Sequence, residues 1–391
     1  MSLNLVSNRI VKGKLYPALT EFEARPYTTQ WRLFGSHYPY TVPLRLQEYC
    51  DYHGIALNLY TLDQSFPVES FYPIGLAFFN FEIDYFSLLP ELAYNFIRHN
   101  KLRILFYYHE GDNPHKIKLR LDQLLQQHNL PENCYVFVSA NTAARNVTNF
   151  VYFADFELWY WQRNHNVPPT PVSNNKIRDF TALNRLHKSW RATAMADLQS
   201  QSILDNSWWS YCESGQLEDS ENPIEIDSIP GLRSRTNEFL LQAPYFSDSL
   251  SQDDRNNHAI SDSKYYTDSY CNIVLETHFD ADQSGGAFVT EKTFKPIKHG
   301  QLFFIAGPAG SLQVLRDLGY RTFDHVLDNR YDQENNNTQR WRMLCAAIKA
   351  AQPDLPKIFA AAQPDIEYNQ QLFQALKTQR LNNLIEEINA C

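Results

Sequence analysis

Apolar and polar positions along the chain fall into two series of strand and helix signals. In KLRILFYYHEG, residues 101–111, a continuous apolar run ends in polar residues, the mark of a buried strand that opens into a loop. KIKLRLDQLLQQHNL, 116–130, has apolar positions at helical spacing and predicts an amphipathic helix. NCYVFVSAN, 133–141, predicts another strand, so this half reads β-α-β. In the second series, DFTALNRLHKSWRATAMADLQSQ predicts a short strand, a basic loop and a helix, and SYCNIVLETHF, 269–279, a strand with a Glu at its end. TEKTFKPIKHG then starts a helix, QLFFIAG is a buried strand, SLQVLRDLGY a helix and YRTF a short strand. Pro296 should break or kink the helix near Lys295, because proline removes a hydrogen bond from a helix interior. The closing stretch, 366–391, reads as one terminal helix.

Between the two series lies RNHNVPPTPVSNNKIR, 163–178, where Pro and Asn accumulate as in a linker. The expected division is therefore residues 1–165 and 176–391. Strands alternating with helices on both sides predict an α/β protein of two Rossmann-like, doubly wound domains whose strand carboxyl ends border a shared cleft. The segment 213–262, with ESGQLEDSENPIEIDSIP and SDSLSQDDRNNHAISDS, reads as an acidic insertion, either a lid or a disordered excursion.

Composition agrees with this division. A chain of 391 residues exceeds one ordinary core, and 43% hydrophobic residues with 23 Tyr and 25 Phe supply ample surface for two. No apolar run is long enough for a signal peptide or a transmembrane helix, so the expectation is a soluble, cytoplasmic protein. The six cysteines are scattered without a CxxC, which favours free thiols over disulfides or zinc ligands. A net charge of -9 argues against a broad nucleic-acid-binding surface and leaves local basic clusters as the places to search.

Two such clusters stand in the second half. In LNRLHKSWR, Arg185, His187, Lys188 and Arg191 lie where a strand gives way to a helix, a place that offers free backbone N–H groups to an anion. Arg185 and Arg191 suit a diphosphate better than Lys188, since a guanidinium makes forked bonds to phosphate oxygens. A solvated helix start explains the same residues. In FVTEKTFKPIKHG, Glu291 could accept the hydroxyls of a ribose and Lys292 could neutralise phosphate. A plain i,i+4 pair accounts equally well for Glu291 and Lys295, and surface exposure for Lys298 and His299. In the first half, FYYHEGDNPHK ends a strand in His109, Glu110 and Asp112; Glu110 is the favoured general base and His109 the alternate, unless Asp112 merely caps a helix. Asp155 and Glu157 are a weaker pair, and Trp159, Tyr160 and Trp161 serve either sugar stacking or packing. Asp280-Ala281-Asp282 fits the DxD string of metal-dependent transferases but reads as a surface turn.

The series TALNRLHKSWR, IVLETHF, FVTEKTFKPI and GPAGSLQVLRDLGYRTF resembles glycosyltransferases of the two-domain GT-B architecture, in particular the fucosyltransferase-like enzymes and their bacterial and viral relatives. The likeness covers about residues 176–345. Its most specific element is Thr-Glu-Lys at 290–292, preceded by a strand-end Glu that would here be Glu276. The chain departs from the fucosyltransferase signature in having Glu276-Thr277-His278 where that signature has Glu-Asn-Ser, so fucose is not implied as the sugar. The resemblance implies that Glu291 and Lys292 lie at a nucleotide-sugar site, with Arg185 or Arg191 on the diphosphate. The expected activity is metal-independent transfer of a sugar from a donor such as a GDP- or UDP-sugar to a glycan or other hydroxyl acceptor, with no cofactor besides the donor. Two other readings remain: glycosylation of a hydroxymethylated DNA base, and noncatalytic binding of a nucleotide sugar or glycan.

Overall fold

A computed structural model describes residues 2–7, 10–11, 14–15, 43–76, 79–246, 263–280 and 284–391, which fold into two compact units. The first unit comprises Met1–Asp155 and Leu376–Cys391, and the second Phe156–Ala375.

The first unit is a six-stranded sheet. Its strands are β1 (Leu3–Ser7), β2 (Leu57–Thr61), β3 (Phe71–Leu76), β4 (Arg103–Tyr108), β5 (Tyr135–Ser139) and β6 (Phe150–Tyr152). They lie in the order β2-β1-β3-β4-β5-β6, every neighbouring pair parallel. The unit's N-terminal segment carries α1 (Pro43–His53), α2 (Glu91–Arg98) and α3 (Pro114–His128) among the described residues. A parallel strand covered on both faces needs apolar residues at successive positions, and β3 and β5 are buried throughout. Phe106, Phe137 and Phe150 join neighbouring strands, the last two stacked at 4.7 Å. Helix α3 starts at Pro114 because the Asn113 side chain accepts from His115 N at 3.0 Å, and it stops at Asn129, whose φ of 50° is left-handed. Asn113 is thus the cap; Asp112 instead accepts the Tyr108 hydroxyl.

The second unit holds a four-stranded sheet. Helix α4 (Asp155–Asn164) begins at the boundary, followed by β7 (Arg178–Asn184), α5 (Ser189–Ser200), β8 (Ser207–Tyr211) and α6 (Leu232–Gln242). Then come β9 (Ser269–Leu275), α7 (Glu291–His299), β10 (Leu302–Ala306), α8 (Ser311–Asp317), α9 (Asn337–Ala351) and α10 (Leu355–Gln374). The sheet order is β8-β7-β9-β10, again all parallel. From β7 the chain winds outward to β8 and then returns past β7 to β9 and β10. The reversal falls between β7 and β9, and connections leaving adjacent strands in opposite directions open a crevice at their carboxyl ends.

Several sequence expectations change. The Pro-rich stretch 163–178 is tied into the second unit, Thr170 O accepting from Gln370 and Asn174 O from the Tyr270 hydroxyl, so the boundary falls at 155/156. The acidic segment contains an ordered helix, α6, that packs on α5 through Leu232, Thr236 and Phe239; residues 247–262 lie outside the described residues. Tyr320–Phe323 is no strand, because both backbone groups of Arg321 bond the Asn369 side chain and Phe323 has a φ of 64°. The terminal helix is two helices. α10 ends at Gln374 in the second unit, and α11 (Thr378–Ala390) packs on α1 and β6 of the first, burying Leu381, Leu384, Ile385 and Ile388.

Ile385 is fully buried. Ile385→Ala should destabilise the first unit by about 2–4 kcal/mol through lost apolar burial and a residual cavity. Hydrogen exchange should accelerate in β6 and α1 and stay unchanged in β7, β9 and β10; uniform acceleration across both units would contradict the assignment of α11.

Candidate functional site

At the crevice between β7 and β9 the chain places a buried carboxylate. Glu276, the residue after β9, is 0% exposed. Its Oε1 accepts from Thr290 N at 3.0 Å and the Thr293 hydroxyl at 2.6 Å, and its Oε2 from the Thr290 hydroxyl at 2.7 Å and Thr277 N at 3.2 Å. Taking a carboxylate out of water costs several kcal/mol. Hydrogen bonds to a charged acceptor contribute roughly 1.5–3 kcal/mol each, so four together offset that cost. Since a carboxylate offers about four acceptor positions, Glu276 is saturated inside the protein. It joins the end of β9 to the start of α7, and its part in the site is to position that helix.

Helix α7 is fixed at both ends. Thr290 is its N-cap, accepting from Lys292 N, and Gly300 ends it with a left-handed φ of 67°. The helix runs unbroken from Glu291 to His299 through Pro296, although an interior proline costs about 3 kcal/mol. Both caps, the anchoring carboxylate and the burial of Phe294 and Ile297 stand against that cost. Lys298 and His299, expected at the surface, are buried. Lys298 Nζ donates to Asn164 Oδ1 at 2.8 Å; His299 lies 2.9 Å from the Thr170 hydroxyl and stacks on Tyr266 at 4.8 Å. Burial, reinforced by Lys298 and Lys295, pushes His299 down to about 3 and keeps it neutral.

Around this junction the structure gathers cations. Arg191, on the first turn of α5, donates through Nε and Nη2 to the carbonyl of Glu276 at 3.1 and 2.7 Å, and Lys188 Nζ donates to the carbonyl of Thr277 at 2.9 Å. In both of these contacts the acceptor is a neutral backbone dipole. Lys292 Nζ reaches the Thr290 hydroxyl at 3.0 Å, Glu291 Oε1 at 3.3 Å and the Thr277 hydroxyl at 3.4 Å. Glu291 is buried at the first position of α7. Arg185 lies in the loop after β7, near enough to Tyr266 and Lys295 to influence both. His278 registers the resulting potential: burial first, then Lys188, Arg191 and Lys292, push it down to about 4. Asn184, at the carboxyl end of β7, keeps a buried Nδ2 without a hydrogen-bond partner.

Other sequence candidates have separate duties. His187 uses both ring nitrogens, one with the Tyr211 hydroxyl at 2.8 Å and one with Gln216 O at 2.9 Å, while its backbone N donates to Glu213. A Cβ on Gly215 would lie 2.3 Å from this ring, so His187 seats the 213–216 loop. In the first unit His109 Nε2 stands 3.6 Å from Glu110 Oε1 just past β4, both partly exposed. Asp155 is locked in a buried network with Arg45 and the Tyr107 hydroxyl, and Glu157 accepts the Tyr320 hydroxyl at 2.5 Å. Tyr160 and Trp161 are core residues of the second unit, whereas Trp159 stacks under Arg163. Asp280 accepts from Asn337 Nδ2 at 3.1 Å; Asp282 lies outside the described residues. An open pocket of about 340 Å³ borders Arg316 and Arg330, but both pair with aspartates, Asp324 and Asp328.

Thr293 does not figure in the sequence analysis, and Thr290 does so only within Thr-Glu-Lys, with no role of its own. Their signal is a Thr-x-x-Thr pair across a helix start, legible only once a carboxylate is known to lie opposite. No protein-family model matches the chain, and no curated protein matches it.

Glu276→Gln keeps the side chain's volume but turns an NH₂ toward donors. It should cost about 2–4 kcal/mol and loosen the start of α7. The checks are chemical denaturation and amide exchange at Thr290 and Thr293; a variant as stable as wild type would show that the carboxylate charge is not what holds the junction.

Proposed function

We propose that the chain is a glycosyltransferase of the two-domain GT-B kind, moving a sugar from a nucleoside-diphosphate sugar such as a GDP- or UDP-sugar to a hydroxyl acceptor. The observation that best supports this reading is the set of Lys188, Arg191 and Lys292 at the β7/β9 crevice, two of them donating to the backbone carbonyls that follow β9. A diphosphate is a dense anion, and an excess of fixed cations at the start of a helix is chemistry suited to it. The motif resemblance across 176–345 points to the same ligand.

The difficult step is cleavage of the bond between the anomeric carbon and the diphosphate oxygen. The electron pair leaves with the diphosphate while positive charge grows on the sugar, so cations already aimed at the phosphates stabilise the departing charge without reorganising. In this reading Lys292 and Arg191 carry that task, with Arg185 and Lys188 beside them and Glu291 accepting ribose hydroxyls. A metal ion is not required by the scheme. The acceptor hydroxyl loses its proton to Glu110, or to His109 as the alternate, as it attacks.

A panel of UDP- and GDP-sugars should contain one that raises the melting temperature by about 5–11 °C at a hundredfold excess over its Kd. Lys292→Ala should weaken that ligand ten- to a hundredfold, about 1.4–2.7 kcal/mol. The free protein should change little, because this side chain is partly exposed. If no nucleotide sugar binds, or Lys292→Ala binds as wild type does, the reading is wrong. Binding without turnover on any acceptor would make the protein a nucleotide-sugar receptor.

A further inference from the structure

Lys295 differs from every other cation of the crevice. It is 7% exposed and, among the described residues, its ammonium makes neither a hydrogen bond nor an ion pair. A side chain on a helix leans toward the N-terminus and over the residue four positions earlier, so Lys295 is directed back along α7 toward Glu291 and the helix start. The groups that act on it agree: Glu291 and Lys292 on its own helix, Arg185 after β7 and Glu276 after β9. Tyr266, on the short helix Ser263–Thr267, feels Arg185 and Glu291, and His299 feels Lys295 itself.

A buried, unpartnered ammonium is costly to retain. Glu291 sits one turn away and still forms no ion pair with it, contrary to the simple i,i+4 explanation of the two residues. Without that pairing, Lys295 has no hydrogen-bond or ion-pair partner among the described residues.

We propose that Lys295 is a further anion-binding residue of this site, kept without a partner among the described residues and protonated as the ligand's phosphate arrives. The proposal rests on the nucleotide-sugar reading and deepens it: the site would take up a proton with its ligand. The free amine is in place to respond, since burial first, then Arg185 and Lys292, bring it down to about 7 against the pull of Glu291 and Glu276. The sign follows. Well below pH 7 the ammonium is already present and binding takes up little; above it, an arriving anion must bring a proton with it, and affinity falls as pH rises until the liganded value is passed. His278 and His299, held neutral at about 4 and about 3, do not enter this window. Lys176 does, at about 8, but its Nζ rests on the carbonyl of Thr267.

The test is calorimetric titration of the whole protein with UDP-glucose and with GDP-mannose, whose diester phosphates do not titrate near neutrality, in HEPES and in Tris at pH 7.5 to 9. Wild type should take up between about half a proton and one proton per ligand, and its Kd should weaken by up to about tenfold per pH unit. Lys295→Met should fold, bind more weakly at pH 7.5 and lose the uptake; Lys295→Arg, permanently charged, should bind without it. Uptake persisting in both variants assigns the proton elsewhere, for example to Lys176, and overturns the proposal. Wild-type binding with no uptake also overturns it while leaving the nucleotide-sugar reading intact. Failure of wild type to bind either probe counts against both.

Discussion

The second unit is organised around one buried negative charge. Glu276 has to be where it is because β9 delivers it to the edge of the sheet, and it has to be solvated there because water does not reach it. The four donors that solvate it come from Thr277, Thr290 and Thr293, and two of those residues set the start of α7. One carboxylate thereby fixes the distance and register between strand and helix. The Thr290 hydroxyl completes the arrangement by donating to Glu276 while accepting from the backbone and ammonium of Lys292, which uses its full hydrogen-bonding capacity. The orientation of Lys292 is therefore inherited from a residue sixteen positions earlier.

The same region separates two uses of positive charge. Arg340 is buried and donates to the carbonyls of Phe279 and Gly307, pinning the turn after β9 against the strand end of β10. Lys188 and Arg191 hold the preceding carbonyls, Thr277 and Glu276. A cation resting on a carbonyl can be drawn to an anion for the loss of a charge–dipole contact; one resting on a carboxylate must first break an ion pair. At the pocket bordered by Arg316 and Arg330 each guanidinium already has its aspartate.

Much of this was readable in the residues. Continuous apolar runs marked β4, β5, β9 and β10, the 3.6-residue period marked α3, and the alternation of both signalled parallel sheets. Arg191 and Glu276 could be picked out because polar residues just past buried strands are conspicuous in one dimension, and Glu291 and Lys292 because they stand at a helix start in the Thr-Glu-Lys of the resemblance. What could not be read was saturation. Nothing in the sequence says that Glu276 spends its capacity on threonines, that His187 is occupied by Tyr211 and Gln216, or that Lys298 and His299 are buried against Asn164 and Thr170. These depend on partners up to 134 residues away. Pro296 misled for a related reason: local propensity argues for a break, and tertiary packing of α7 overrides it.

The placement of α11 has a consequence for synthesis. Residues Phe156–Ala375 form an uninterrupted unit, whereas the first unit needs both Met1–Asp155 and the final Leu376–Cys391. On the ribosome the second unit can close as soon as its own residues have emerged, while the sheet that was made first waits, with the faces of α1 and β6 that receive α11 uncovered, until residues 376–391 have emerged as well. Chain order and folding order are thus reversed. The unit begun first is completed after the second, and a nascent chain halted between Ala375 and Thr378 would carry all the residues of the second unit and an incomplete first one.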